Sequence, residues 1–280
     1  MTEFKHTVTE KDDGLQVKDI MRLYFDFSSR LRNKIKREKL VTLNGETAEG
    51  WYSVSTGDTV KISLPDEKSC FEPQDIPVYP VFEDKDILIL NKQPGLIVHP
   101  TKGHPSGTVA NALMNYMEKT GQSFKIRFVN RLDMDTSGLL VVAKNAYCQN
   151  EYTRQMKENI VKKRYIAILK GIVKEDSGKI DLPIGRPDPE DVRRGVMEGG
   201  LPSVTHFSVI ERYIKSGYTL VELILETGRT HQIRVHMASI HHPVAGDPVY
   251  GPHNCITSLH GQCLHAKTLG FVHPITGEQL

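Results

Sequence analysis

The chain predicts an α+β protein in two unequal parts, a small helix-helix-sheet module over residues 1–64 and a larger mixed domain over residues 81–280. Three observations lead there. Strand-like apolar runs at ILILN (87–91), GLLVVAK (138–144), RYIAILKG (164–171) and YTLVELILETG (218–228) are interspersed with helical patterns, but without the strict alternation of a doubly wound sheet. The first 64 residues pass from helical periodicity to closely spaced turn signals. Between the two parts, residues 65–80 hold Pro65, Pro73, Pro77 and Pro80 with few apolar anchors, the composition of a semi-extended linker.

In the first part, VKDIMRLYFDFSSRLRNKIKREKL carries apolar residues at Ile20, Leu23, Phe27, Leu31 and Ile35. Asp26 and Ser28-Ser29 interrupt it, so two short helices joined by a turn are expected, the second capped by Ser28 or Ser29. In the following VTLNGETAEGWYSVSTGDTVKISL, Asn44-Gly45 and Gly57-Asp58 punctuate short strands as tight turns do. Within Arg30–Lys39, six side chains are cationic and only Glu38 is acidic. On a helix they occupy the solvent face while Leu31 and Ile35 turn inward, and such a run is by itself an ordinary solvated face. In the second part, helices are expected around Thr108–Lys119 and after Asn145.

Composition sets the remaining bounds. A formal charge of +2 is too mild to point to a nucleic acid, so the uneven distribution of charge has to carry that argument. The cysteines, Cys70, Cys148, Cys255 and Cys263, form no CxxC pair, which suits a reducing compartment. No apolar run approaches the roughly 18 residues of a membrane span, and MTEFKHTVTEKDDG lacks the apolar core of a signal peptide. The expectation is a cytoplasmic protein without a membrane partner, monomeric by default.

Residues 127–145, RFVNRLDMDTSGLLVVAKN, are the most informative stretch. Two acidic residues precede a Thr-Ser-Gly turn and an apolar strand, which puts Asp133 at the mouth of a sheet, rigidly held and within reach of a substrate. Phosphoaspartate phosphatases use DxDx(T/V), but here the fifth position is Ser137 and no unbroken apolar strand comes before. Aspartic proteases use Asp-Thr-Gly, whereas this chain has one Asp-Thr-Ser-Gly. Four further segments stand out: NKQPGLIVHP (91–100), KRYIA (163–167), TGRTHQIRVH (227–236), which runs from a turn into a helix carrying Arg229 and Arg234, and LHAKTLGFVHP (264–274). His231 and His236 are five apart with no carboxylate between them, which speaks against a zinc site, and the scattered histidines elsewhere read as structural.

Together these segments resemble the RluA family of pseudouridine synthases. NRLDMDTSGLL corresponds to the family's HRLDxDTSGLL, KRY to its K-x-Y motif and LETGRTHQIRVH to its third motif, and the likeness runs over about residues 15–280. It implies a mixed, largely antiparallel sheet with flanking helices, and isomerisation of uridine to pseudouridine in structured RNA without cofactor or metal. By this resemblance Asp133 attacks the target uridine and Arg229 supplies the cation that keeps it ionised and oriented. Tyr165 lies against the target base; with an ordinary pKa of about 10, stacking suits it better than proton transfer. Leu225 packs on the uracil, and Arg131 enters the RNA stack where the base has left.

The first module resembles the S4 RNA-binding domain, in which a helix pair presents cations, here Arg30, Arg32, Lys34, Lys36 and Arg37, to RNA phosphates. By family analogy this favours large-subunit ribosomal RNA over transfer RNA. Two departures stand out. Asn130 replaces the family's usual His, which implies tuning rather than loss, and the chain ends at HPITGEQL, where family members continue with another strand. A non-catalytic RNA-binding assembly factor is the competing reading, but it has no need of Asp133, Tyr165 and Arg229 together.

Overall fold

The computed structural model describes residues 2–25, 27–188, 190–251 and 261–280. Asp26, at the expected helix break, and Cys255 lie outside the described residues. The first unit is β1 (Thr2–Thr7), α1 (Val17–Tyr24), α2 (Ser29–Arg37), β2 (Val41–Leu43), β3 (Glu46–Thr47) and β4 (Thr59–Leu64), its sheet ordered β1-β4-β2-β3. Ser28 caps α2 by accepting the Leu31 N–H at 3.3 Å, and the Asn44-Gly45 turn takes positive φ at both residues, as a two-residue hairpin requires. Val17, Ile20, Phe27, Leu31, Ile35, Val60 and Ile62 fill its core. Leu23, expected inward by helical spacing, is instead 65% exposed.

The second unit comprises β5 (Pro80–Glu83), β6 (Ile87–Lys92), α3 (Val109–Thr120), β7 (Arg127–Phe128), β8 (Ser137–Ala143), α4 (Ala146–Lys157), β9 (Lys162–Lys170), β10 (Ser177–Asp181), β11 (Ile184–Gly185), β12 (Gly195–Val196), β13 (Val204–Tyr213), β14 (Tyr218–Leu225), α5 (Gln232–Ser239) and β15 (Leu264–Gly270). Its main sheet runs β10-β13-β14-β9-β15-β8-β6-β5, with β7 also paired to β8. All of these pairings are antiparallel except β15–β8. The fold is therefore mixed α+β with a largely antiparallel sheet. The parallel junction is tight: Gly138 has φ +109°, and a Cβ there would sit 2.3 Å from the Ala266 carbonyl oxygen. Only glycine fits between the two strands at the point where the Asp133 segment enters the sheet.

Residues 66–79 carry no regular element, as the prolines predict, but they are tied down. Phe71 and Val78 pack on the core beneath α3, Ser69 Oγ accepts the Ile126 N–H at 2.9 Å, and Asn111 donates to the Glu72 carbonyl at 2.8 Å. Glu67 binds Lys34 at 2.5 Å and also pairs with Arg127, joining α2 to the second unit. Tyr147, at the start of α4, packs against both Phe4 and Phe27, with ring centroids 4.7 and 5.6 Å away. These contacts set the basic helix beside the mouth of the large sheet.

Candidate active site

Asp133 lies in the turn that feeds β8, and its backbone carbonyl accepts the Thr136 N–H at 3.1 Å. That turn is fixed from below by Lys92. Its ammonium is buried and donates to the carbonyls of Gln93 (3.0 Å), Leu96 (2.8 Å) and Met134 (2.7 Å), so all three of its hydrogens are used. Burial pulls the Lys92 pKa down to about 8, against the pull of Asp135 and Asp133. Asn130, at the family's His position, bridges to β8 by donating to Leu139 O and accepting from Val141 N, so the substitution keeps a structural tie.

The cation on Asp133 is Arg234. Its Nη1 is 3.1 Å from Asp133 Oδ2, while Nε and Nη2 make a two-pronged pair with Asp247 at 2.7 and 2.9 Å. Asp247 Oδ1 also accepts the backbone N–H groups of Val249 and Tyr250. Burial alone would raise the Asp247 carboxyl, but the hydrogen bonds and charge of Arg234 outweigh it and hold it below the ordinary range. Asp247 thus anchors the guanidinium, leaving one nitrogen to orient Asp133.

This corrects the expectation placed on Arg229. Arg229 is exposed, its Nε donates to the Pro202 carbonyl at 3.2 Å, and it makes no ion pair with Asp133. The reason lies in the helix. Gln232 through Met237 are all buried in α5, so Arg234 projects into the interior, whereas Arg229 precedes the helix in an exposed turn. The only sequence signal is that Arg234 lies among Ile233, Val235 and Met237 on a short helix, which marks it for burial and pairing without naming its partner.

Tyr165 on β9 and Leu225 at the end of β14 are partly buried and line the same cleft as Asp133. Burial, with Asp133 reinforcing it, pushes the Tyr165 phenol up to about 12, so it stays protonated at neutral pH and offers a ring face rather than a base. Lys163, two residues earlier, is buried on the same wall with no ion pair among the described residues, and burial lowers its pKa. Arg131 is exposed at the mouth and donates to Thr230 Oγ1 rather than to Asp133 or Asp135. Lys92, Lys163, Arg234 and Asp247 carry no site role in the motif reading of the sequence, and the fold adds them.

The cleft has an open volume of about 1550 Å³ and extends to α2, where Arg30, Lys34 and Arg37 form its far wall. Of the cations expected to meet phosphate, Arg30, Lys36 and Arg37 are exposed. Lys34 is engaged by Glu67, and Arg32 donates to the Phe27 carbonyl at 2.5 Å and to Ser29 Oγ at 3.2 Å, so both brace the module instead.

A carboxylate held by a buried arginine, beside a protonated tyrosine and an aliphatic wall, in a cleft rimmed by cations, defines an enzyme site for a flat neutral group carried on an anionic chain. The RNA pseudouridylate synthase family matches residues 86–239 of this chain. The uncharacterized RNA pseudouridine synthase YlyB of Bacillus subtilis (strain 168) is 43% identical over 244 residues, 85% of this chain and 79% of its own. Ribosomal large subunit pseudouridine synthase D of Neisseria meningitidis serogroup B is 40% identical over 273 residues, 92% of this chain and 72% of its own. Among solved structures, human RNA pseudouridylate synthase domain containing 1 superimposes with a TM-score of 0.61 at 30% identity, covering 73% of this chain and 81% of that one. The chain belongs to the RluA-type family of RNA pseudouridine synthases and is an isomerase that converts uridine to pseudouridine.

Proposed function

We propose that this enzyme isomerises specific uridines of large-subunit ribosomal RNA, with Asp133 as the nucleophile. The observation that carries the assignment of roles is the Arg234–Asp133 pair at 3.1 Å in a cleft shared with Tyr165 and Leu225. The target base leaves its stack at a cost of a few kcal/mol and lies between the Tyr165 ring and Leu225. With Asp133 as nucleophile the N1–C1′ bond breaks, the base rotates and a C5–C1′ bond forms as Asp133 is released; the C5 proton leaves to solvent and N1 takes one up, so the product is an isomer. Arg131, exposed at the mouth, fills the gap in the RNA stack, for which a planar guanidinium is suited.

Residues 1–64 serve as an S4-type RNA-binding module, 65–80 as the linker, and 81–280 as the catalytic domain. Arg30, Lys36 and Arg37 contact phosphates across the cleft, giving affinity and position with little sequence selection. Arg229 is a substrate contact at the rim, not the partner of Asp133. The choice of ribosomal RNA rests on relatives named as large-subunit enzymes; cytoplasmic location and a monomeric state complete the reading.

The test is tritium release from RNA labelled at uracil C5, prepared from cells lacking this gene. Release by the wild type and none by Asp133→Asn, with RNA affinity retained, supports the assignment. Equal loss of release and binding in Asp133→Asn would sink it. Site mapping of the product on large-subunit ribosomal RNA then tests the substrate.

A further inference from the structure

His231 stands beside Asp133 without a part in the chemistry above. It caps α5 from the left-handed region, with φ 59°. Its Nδ1 is 2.8 Å from Tyr250 Oη, and its Nε2 is 3.9 Å from Asp133 Oδ2. Tyr250 Oη also accepts the Arg194 backbone N–H at 2.8 Å. A phenol carries a single hydrogen and also accepts, so the 2.8 Å contact fits either a Tyr250 hydroxyl donating to Nδ1 or an Nδ1–H donating to the phenol oxygen. In the first arrangement the neutral imidazole carries its own hydrogen on Nε2, the nitrogen turned toward Asp133.

Asp133 Oδ2 already takes Arg234 Nη1, while Oδ1 has no hydrogen-bond or ion-pair partner among the described residues. We propose that His231 is a positioning residue for Asp133: its Nε2–H, fixed in that tautomer by Tyr250, holds Oδ2 together with Arg234 and leaves Oδ1 as the attacking oxygen. The inference rests on Asp133 being the nucleophile. At 3.9 Å the Nε2–H is beyond hydrogen-bond reach, and the contact tightens when substrate fills the cleft, as catalytic contacts commonly do.

The groups facing the ring are Asp133 from the turn before β8, Arg234 on α5, Arg194 from the segment before β12, and Asp247 and Tyr250 from the loop after α5. Burial favours the neutral ring; Asp133 opposes it, Arg234 and Arg194 reinforce it, Asp247 opposes it, and the net pKa lies below the ordinary value. Protonation would put a hydrogen on Nδ1, remove the acceptor of the Tyr250 hydroxyl and add a cation beside Arg234 and Arg194. Turnover therefore falls as the pH drops through the His231 pKa, which lies below the ordinary imidazole value.

Two measurements test this. In tritium release, His231→Ala should lower kcat roughly 10- to 100-fold with KM nearly unchanged. His231→Gln, whose amide N–H reaches toward the same oxygen, should recover most of the loss, and both variants should lack the acid limb of the wild type. Wild-type kcat in His231→Ala, no recovery in Gln, or an acid limb that survives in Gln would each overturn the proposal. Independently of turnover, 15N NMR of histidine-labelled protein should assign to His231, by its disappearance in His231→Gln, an Nε2–H tautomer that is lost in Tyr250→Phe. An Nδ1–H ring would overturn it even if no RNA substrate were found. Failure of wild-type turnover on RNA would instead count against the function proposed above.

Discussion

Two sets of cations lie around one cleft and are held in opposite ways. On α2, Arg30, Lys36 and Arg37 stand in solvent. Behind the wall that carries Asp133, Arg234 is 4% exposed and Lys92 2%, the first bound to two carboxylates and the second to three carbonyls. Exposed charges keep their hydration, are screened over about 10 Å at 0.1 M salt, and tolerate repositioning. A buried charge is costly unless geometry supplies partners, as it does for Arg234 and Lys92, and a charge so held can fix a carboxylate in one orientation. The first arrangement suits an irregular polyanion and the second suits a reaction.

The largest effect should come from within the buried set. Asp133→Asn removes the nucleophile and should abolish tritium release while the RNA dissociation constant changes little. Arg234→Met should also abolish release, and because it strands the fully buried Asp247 it should cost about 3–5 kcal/mol in urea unfolding. Unchanged stability would show that Asp247 does not depend on that pair. Tyr165 separates ring from hydroxyl: with its phenol pushed up to about 12, Tyr165→Phe should retain much more turnover than Tyr165→Ala. Equal losses would assign the hydroxyl a part in proton transfer.

The exposed set should behave differently. Changing Arg30, Lys36 and Arg37 together to Ala should leave kcat at saturating RNA within about twofold, weaken binding and flatten its salt dependence by about 0.7–0.9 for each phosphate no longer neutralised. A salt slope equal to wild type would remove α2 from the RNA path. The smallest effect should be at the hinge between the sets. Tyr147→Ala, which removes the ring packed on Phe4 and Phe27, should loosen the first unit, detected as faster hydrogen exchange in α2 with catalytic-domain protection unchanged.

The elements are legible where local rules are strong. Ser28 caps α2, β6, β8, β9 and β14 fall on the apolar runs, and α3 and α4 begin at the expected positions, with Asn145 capping α4. Leu23 departs from its expected place because helical spacing gives a face but not what covers it. At the site, Asp133, Tyr165 and Leu225 are readable from motifs and share a cleft. The partner of Asp133 is not, since two arginines on one motif offer themselves and only the burial of α5 separates them.

The sequence by itself determined the strands on its apolar runs, the helices that begin after Ser28, Thr108 and Asn145, and which carboxylate lies at the sheet mouth. These are short-range matters of periodicity, capping and turn chemistry. The sequence carried no signal for β1, β10 or β13. Only the tertiary structure decided that Arg234 rather than Arg229 orients Asp133, that Asp247 and Tyr250 from a later loop complete the site, and that Lys34 and Arg32 brace the module while Arg30, Lys36 and Arg37 stay in solvent. Each depends on which groups lose their water. For Arg234 and Asp133 that is fixed by elements meeting across 101 residues of chain, which no local pattern encodes.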